Sequence, residues 1–176
     1  MYKPREDSLM LAEQVRKLAG GRVLDIGTGT GIQAVAAASN SKVREVLAVD
    51  IDEEAISYCK KDAKNSKIKF AVSDLFSNVK GKFDMIIFNP PYLPQDKGIK
   101  DKALYGGREG WEIIEKFFKQ VKGYLNEDGI ILLVFSSLTG KNKVDEIIKQ
   151  AGFSFKELEK KHFFFEELFV YSIANI

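Results

Sequence analysis

Hydrophobic and polar residues follow two alternating patterns along the chain. Short β-branched runs predict strands, and apolar residues at helical spacing between them predict helices. Strands are expected at Val23–Ile26, Val43–Val49, Lys67–Val72, Phe83–Phe88 and Gly129–Phe135. Helices are expected at Leu9–Leu18 with Ser8 as N-cap, at Ile32–Ala38, from Asp52 onward, at about Glu109–Tyr124 and at Lys143–Gln150.

The region from Phe153 to Ile173 predicts two further strands, Phe153–Leu158 and Phe163–Ile173, which form a C-terminal antiparallel hairpin. Regular alternation of strands and helices favours a largely parallel sheet with helices on both faces. We therefore expect an α/β fold: a Rossmann-like, doubly wound, mostly parallel seven-stranded sheet. Ligands bind such sheets beyond the carboxyl ends of the strands, where the motifs described next are found.

Composition limits the range of functions. The chain has 176 residues, of which 45% are apolar, and this predicts a single domain over residues 1–176. Lys and Arg total 27 and Asp and Glu 25, so a dedicated nucleic-acid surface is not expected. Neither a bilayer span nor a secretory signal is evident, which predicts a soluble cytoplasmic protein with no membrane partner. A single cysteine excludes an internal disulfide, and no metal site is expected.

A glycine-rich turn follows the first strand. Gly27, Gly29 and Gly31 can adopt positive φ and let a ligand approach the backbone. The dinucleotide fingerprint requires Gly or Ala three positions after Gly29, where this chain has Ile32, so the spacing argues against an NAD enzyme. Taken alone, the motif is also compatible with an ordinary strand-to-helix turn.

Three acidic residues are expected near this turn. Asp25 lies in the first strand, Asp50 follows the second, and Asp74 and Leu75 follow the third. A carboxylate at the position of Asp50 can accept hydrogen bonds from both hydroxyls of a ribose. Three acids around one glycine turn suit a nucleoside that carries positive charge, and S-adenosylmethionine is such a ligand.

A second motif, Asn89-Pro90-Pro91-Tyr92, comes directly after the fourth strand. Two prolines make a stiff corner with outward carbonyls, Asn89 adds an acceptor and Tyr92 adds a flat ring. Such a corner suits a planar –NH2 group, because its acceptors would stabilise positive charge that develops on nitrogen during attack. A rigid exit from the strand, with no chemistry, is the alternative interpretation.

Together these motifs resemble class I S-adenosylmethionine-dependent methyltransferases with an Asn-Pro-Pro-Tyr motif. The chain is most similar to the HemK-like release-factor glutamine methyltransferases of archaeal and eukaryotic type. The opening Tyr2-x-Pro4-x-Glu6-Asp7-Ser8 and the segment Gly106-Gly107-Arg108-Glu109-Gly110 match motifs of that family. The resemblance covers nearly the whole chain.

The resemblance implies a role for each site residue. Ser8, Asp25 and Gly27 would hold the methionine part of the cofactor, Asp50 the ribose, and Asp74 with Leu75 the adenine. Asn89 and the Pro90 carbonyl would hold the substrate amide, with Pro91 completing the corner and Tyr92 against the amide plane. The implied substrate is the glutamine of the Gly-Gly-Gln loop of a peptide-chain release factor. Family members also act with a small zinc-binding activator, expected here at the edge formed by the third strand.

Other functions remain open from the sequence alone. A DNA or RNA methyltransferase acting on adenine N6 or cytosine N4 would share the Asn-Pro-Pro-Tyr chemistry. A protein-lysine methyltransferase and a non-catalytic S-adenosylmethionine-binding scaffold are further alternatives. The roles of Arg108, Trp111 and the loop 93–107 are not determined by the sequence.

Overall fold

The computed structural model describes residues 4–62, 65–95 and 105–176. Its strands are β1 (Gly21–Ile26), β2 (Val43–Asp50), β3 (Ile68–Val72), β4 (Phe83–Phe88), β5 (Leu125–Ser136), β6 (Phe153–His162) and β7 (Glu167–Asn175). Its helices are α1 (Glu6–Leu18), α2 (Ile32–Ala38), α3 (Glu53–Asp62), α4 (Glu112–Phe118) and α5 (Lys141–Gln150). Tyr2, part of the opening motif, lies outside the described residues.

All the strands join one seven-stranded sheet in the order β3-β2-β1-β4-β5-β7-β6. The pairs that link β3, β2, β1, β4 and β5 are parallel, whereas β7 pairs antiparallel with both β5 and β6. The predicted fold class, including the C-terminal antiparallel hairpin, is therefore confirmed. Because β1 to β4 run in the same direction, the segments that follow them meet at one edge of the sheet.

The sheet is covered on both faces because successive strand residues point to opposite sides. In β4, Ile86 and Phe88 pack in the core with α4 and α5, while Met85 and Ile87 pack in the core with α1 and α2. Both faces of this central strand are buried, which explains its continuous run of apolar residues.

The first helix begins earlier than its apolar pattern predicts, and the assignment of Ser8 as N-cap is wrong. Helix α1 starts at Glu6 with Arg5 at the N-cap position, and Ser8 is a buried residue inside the helix. Glu6 and Asp7 stand in the first turn, where acidic side chains favour the helix dipole. Buried Asp7 and Ser8 therefore face the protein, where both make hydrogen bonds described below.

The segment after the Gly-Gly-Arg motif is less helical than predicted. Instead of one helix over Glu109–Tyr124, α4 covers Glu112–Phe118 and a short 3-10 turn covers Val121–Gly123. Gly110 has a φ of 93°, outside the helical region, and this conformation delays the start of the helix. At the other end, Lys119 and Gln120 terminate the α-helical hydrogen bonding before the 3-10 turn.

The predicted edge position of β3 is confirmed, since β2 is its neighbour at one end of the strand order. Ile68 is nearly buried, whereas Phe70 and Val72 are partly exposed at this edge. In the part of the chain that the structure describes, no helix combines the length and apolarity that a membrane span requires.

Candidate active site

A cleft of about 920 Å³ opens at the carboxyl ends of β1 to β4. Its wall contains the glycine turn after β1, the ends of β2 and β3, the corner after β4 and the first turn of α1. These segments are distant in sequence and meet because the four strands are parallel. The sheet topology thus brings together nearly all the residues that the sequence motifs single out.

The glycine turn leaves open space above its backbone. Gly27, Gly29 and Gly31 have φ values of 68°, 54° and 81°, in the left-handed region that favours glycine. A Cβ on Gly27 would meet nothing within 4 Å. The turn is anchored below by a 2.9 Å hydrogen bond from the Thr28 N–H to the Val49 carbonyl. Gly27 and Gly29 therefore border the cleft, whereas Gly31 does not line it and a Cβ there would lie 3.3 Å from the Cys59 Sγ.

Asp25 lies beneath this turn. Its Oδ2 accepts hydrogen bonds from the Thr28 hydroxyl at 2.6 Å and from the Ala34 N–H at 3.1 Å. Burial raises the pKa of Asp25 to about 7, although the Thr28 hydrogen bond acts in the opposite direction. Asp25 is 1% exposed and does not line the cleft, so the structure gives it a supporting position. Its direct contact with a cofactor stays a prediction.

Asp50 connects the end of β2 to the glycine turn. Its Oδ2 accepts the Gly29 N–H at 2.8 Å, and its Oδ1 accepts the Asp52 N–H at 2.9 Å. The residue is partly exposed and lines the cleft. A carboxylate oriented by two backbone donors in this way is positioned to accept further hydrogen bonds from a ligand.

The end of β3 adds Asp74 and Leu75 to the same wall. Both oxygens of Asp74 accept hydrogen bonds from the Lys116 ammonium, at 3.0 and 3.1 Å. Leu75 is nearly buried and has a φ of 48°, the one positive value at a non-glycine position among the described residues. Strained backbone of this kind persists where its surroundings hold it, and it often marks a ligand site.

The corner after β4 presents Asn89 with a defined orientation. The Asn89 Nδ2 donates a hydrogen bond of 3.2 Å to the hydroxyl of Ser8 in α1. Since the nitrogen is used in this way, the side-chain oxygen is left to accept a donor in the cleft. Ser8 is itself held, because its backbone carbonyl accepts a 2.9 Å hydrogen bond from Gln33.

Tyr92 is fixed at both its hydroxyl and its backbone. The hydroxyl donates to the buried Asp7 carboxylate at 3.0 Å, and the backbone carbonyl accepts the Thr139 hydroxyl at 2.9 Å. Helix α1 therefore orients two members of the Asn-Pro-Pro-Tyr motif, Asn89 through Ser8 and Tyr92 through Asp7. Asp7 was not predicted as a site residue, because an acid near a helix start has an ordinary explanation in the helix dipole.

The Gly-Gly-Arg segment packs against the backbone of the corner after β4. A Cβ at Gly106 would collide with the Pro91 carbonyl, and one at Gly110 would lie 2.6 Å from the Tyr92 carbonyl. These glycines therefore let two backbone segments lie in direct contact. The Gly106 N–H also donates to the Leu93 carbonyl at 3.1 Å, which pairs the segments.

Arg108 and Trp111 lie beside this support. The Arg108 guanidinium is 89% exposed and its one described ion pair is with Glu109, whereas the Trp111 ring packs at the edge of the core under the Lys143 ammonium.

The cleft is acidic. Among the described residues, the cleft is lined by seven acidic and two basic side chains. The acidic ones are Glu6, Asp7, Asp50, Asp52, Asp74, Glu112 and Glu166, and the basic ones are Arg5 and Lys116. This balance favours a cationic ligand over a phosphate-bearing one. Across the described stretches no group of three His, Cys, Asp or Glu side chains converges as a metal site requires.

These residues fit the cationic nucleoside expected from the sequence. The open face of Gly27 provides room for close approach, and Asp50 provides an oriented carboxylate. Gln33 also lines the cleft, and its Oε1 is buried without a hydrogen-bond partner among the described residues. Gln33 was not predicted, since one polar residue in an alanine-rich helix gives no functional signal.

In fold, the chain is similar to several solved methyltransferases. One chain of the E. cuniculi Mtq2–Trm112 complex, described as responsible for the methylation of the eRF1 translation termination factor, superposes with a TM-score of 0.80 at 21% identity. The match covers 99% of this chain and 98% of that one. A methyltransferase from Pyrococcus furiosus gives 0.75 at 24% identity, over 100% and 88%. These likenesses show that the protein has the doubly wound, Rossmann-like fold, with its glycine-lined cleft at the strand ends.

Sequence comparison identifies the family. Residues 5–164 match the family described as the methyltransferase small domain, and the chain belongs to it. A putative protein N5-glutamine methyltransferase of Methanocaldococcus jannaschii is 38% identical over 97% of this chain and 89% of its own length. Methyltransferase HEMK2 of Mus musculus is 30% identical over 85% and 76%.

Bacterial relatives are longer than this chain. The release factor glutamine methyltransferase of Deinococcus radiodurans is 33% identical over 69% of this chain, and the match covers 48% of the bacterial protein. The chain therefore spans about half the length of that relative.

Proposed function

We propose that this protein is an S-adenosylmethionine-dependent methyltransferase that methylates the side-chain amide of a glutamine in the Gly-Gly-Gln loop of a peptide-chain release factor. The observation that carries the proposal is the position of Asn89. Its nitrogen is held by Ser8, so its oxygen is available as an acceptor beside the open glycine turn in one cleft. The relatives named for glutamine methylation support the choice of substrate.

The cofactor would lie along the ends of β1 to β3. Gly27 and Gly29 would border it, Asp50 would accept its ribose hydroxyls, and Asp74 with Leu75 would border its base. S-adenosylmethionine, when bound, supplies an electrophilic methyl group on a positively charged sulfur. The acidic lining of the cleft suits that charge.

The corner after β4 would activate the substrate amide. An amide nitrogen is a poor nucleophile because its lone pair is delocalised. The Asn89 oxygen and the Pro90 carbonyl would each accept a hydrogen bond from one N–H group of the substrate amide. These hydrogen bonds strengthen as positive charge develops on the amide nitrogen. Tyr92, fixed by Asp7, would limit the amide to one plane and so align it for transfer. The bond between sulfur and methyl would break as the N–C bond forms, so the donor would leave as a neutral thioether, and one N–H proton would then pass to solvent.

The acidic lining disfavours the nucleic-acid alternative, because among the described residues a polyanion would approach seven carboxylates and two cations. We further propose that a small zinc-binding protein adds to the edge of β3, where Phe70 and Val72 are partly exposed. The Mtq2–Trm112 complex supports the presence of a partner protein. A release-factor substrate would place the enzyme in the cytoplasm.

Transfer of a labelled methyl group tests the proposal. The protein, with and without the small partner, is incubated with labelled S-adenosylmethionine and an intact release factor. The control substrate is the same factor with its loop glutamine replaced by asparagine. We expect label in the first factor and none in the second. Label in both, or label in adenine-containing oligonucleotides instead, would assign a different substrate.

A further inference from the structure

Two phenylalanines stand in solvent at the tip of the β6–β7 hairpin. The side chains of Phe164 and Phe165 are 89% and 85% exposed, and their rings contact each other edge to face with centroids 4.6 Å apart. We call this pair the aromatic tip. Large apolar side chains so fully exposed and adjacent are costly in water, and they commonly mark an interaction site.

The aromatic tip is held in place by the turn beneath it. The Phe163 N–H donates to the Glu166 carbonyl at 2.8 Å and closes the turn. The Glu166 carboxylate accepts the Ser136 hydroxyl, and the Glu167 N–H donates to the Ser137 hydroxyl at 3.0 Å. These bonds attach the turn, and with it the backbone that carries both rings, to the end of β5.

The tip also lies on the rim of the candidate active site. Phe163 and Glu166, which flank it in sequence, line the cleft together with Leu168. A glutamine side chain that reaches Asn89 belongs to a loop, and the protein that carries this loop must rest on the rim. The aromatic tip therefore stands where the body of a protein substrate would lie.

We propose that Phe164 and Phe165 form a docking contact for the protein substrate, packing into an apolar depression beside its glutamine-bearing loop. This inference rests on the proposed function and extends it, because it separates recognition of the whole substrate from recognition of the amide. Interfaces are commonly dominated by a few buried aromatic anchors surrounded by contacts of little energetic weight. A pair of adjacent exposed rings on the rim, carried by a hydrogen-bonded turn, has the form of such an anchor.

Steady-state kinetics with two substrates tests the docking contact. The double variant Phe164→Ser/Phe165→Ser is compared with wild type on the intact release factor and on a short peptide of its Gly-Gly-Gln loop. We expect KM for the intact factor to rise at least about tenfold, while kcat for that factor changes by less than about twofold. The kcat/KM for the peptide should also change by less than about twofold. Leu18→Ser, at an exposed position of α1 outside the cleft lining, is the matched control and should change neither substrate's kinetics.

Three outcomes would overturn the inference. The first is an unchanged KM for the intact factor, and the second is an equal loss with the peptide, which would place the rings in amide binding. The third is an interaction of wild type that the double variant lacks. Self-association of this kind would assign the tip to a second copy of the chain, and sedimentation with phosphatidylglycerol vesicles would assign it to a membrane. Absence of transfer to either substrate by wild type would instead refute the proposed function.

Discussion

Replacement of Ser8 by alanine tests how α1 controls the chemistry of Asn89. The change removes the hydroxyl that accepts a 3.2 Å hydrogen bond from Asn89 Nδ2 and that donates a weaker one of 3.3 Å to Asp7 Oδ1, and it leaves the other side chains of the helix in place. Alanine favours helix more than serine by a few tenths of a kcal/mol, so the variant should fold. The freed amide can then rotate and turn its oxygen away from the substrate.

The size of the effect follows from the hydrogen bond. A neutral hydrogen bond contributes about 0.5–1.5 kcal/mol net, and more when a buried donor is left without a partner. Because 1.4 kcal/mol corresponds to a factor of about ten, kcat at saturating cofactor should fall roughly tenfold. Asn89→Ala, which removes the acceptor itself, should cost at least about a hundredfold.

A double-mutant cycle separates this positioning role from a direct role of Ser8. If Ser8 acts through Asn89, Ser8→Ala should have almost no further effect on kcat in the Asn89→Ala background. Ser154→Ala, a distant change on β6, is the matched control and should leave kcat unchanged in both backgrounds. Equal losses in wild type and in Asn89→Ala would refute the reasoning, and cofactor affinity from calorimetry would then show whether Ser8 contacts the cofactor instead.

Three further changes test other parts of the site. Asp50→Ala should weaken cofactor binding at least about tenfold in calorimetry, and retained affinity would contradict the ribose assignment. Gly106→Ala should lower kcat strongly because its Cβ meets the Pro91 carbonyl, whereas Gly123→Ala, with nothing within 4 Å, should not. The pKa of Asp25 is raised to about 7 from 3.8, so its stabilising contribution is complete below pH 3.8 and is lost as pH rises through 7. Denaturant melts should therefore show wild type losing stability relative to Asp25→Asn as pH rises from 3.8 to about 7, and parallel profiles would contradict this.

Strands and the glycine turn were predictable because their signals are local. The limits of β4 and α2 agree with the prediction at both ends, since each is an uninterrupted run of residues with one preference. Boundaries set by tertiary contacts were not predictable. Strand β7 starts at Glu167 and not at Phe163, because the hydrogen bonds of Glu166 and Glu167 to the end of β5 fix the intervening turn.

The site shows the same division between local and long-range information. The sequence indicated Asp50 and Asn89 because each follows a strand in a parallel sheet. It did not indicate that Ser8 and Asp7 hold Asn89 and Tyr92, since those contacts span 81 and 85 residues. The sequence also could not show that Asp25 is buried under the turn, because the burial of its side chain depends on how α2 packs against the end of β1.

The central claim is that Asn89 acts on a glutamine amide beside the bound methyl donor. The most direct measurement is mass spectrometry of the release-factor loop peptide after incubation with wild type or Asn89→Ala, with cofactor affinity measured in parallel. The account predicts one added methyl group on the loop glutamine with wild type, at least about a hundredfold less with Asn89→Ala, and similar cofactor affinity for both. Equal methylation by the two proteins, or a methyl group on another residue, would contradict it.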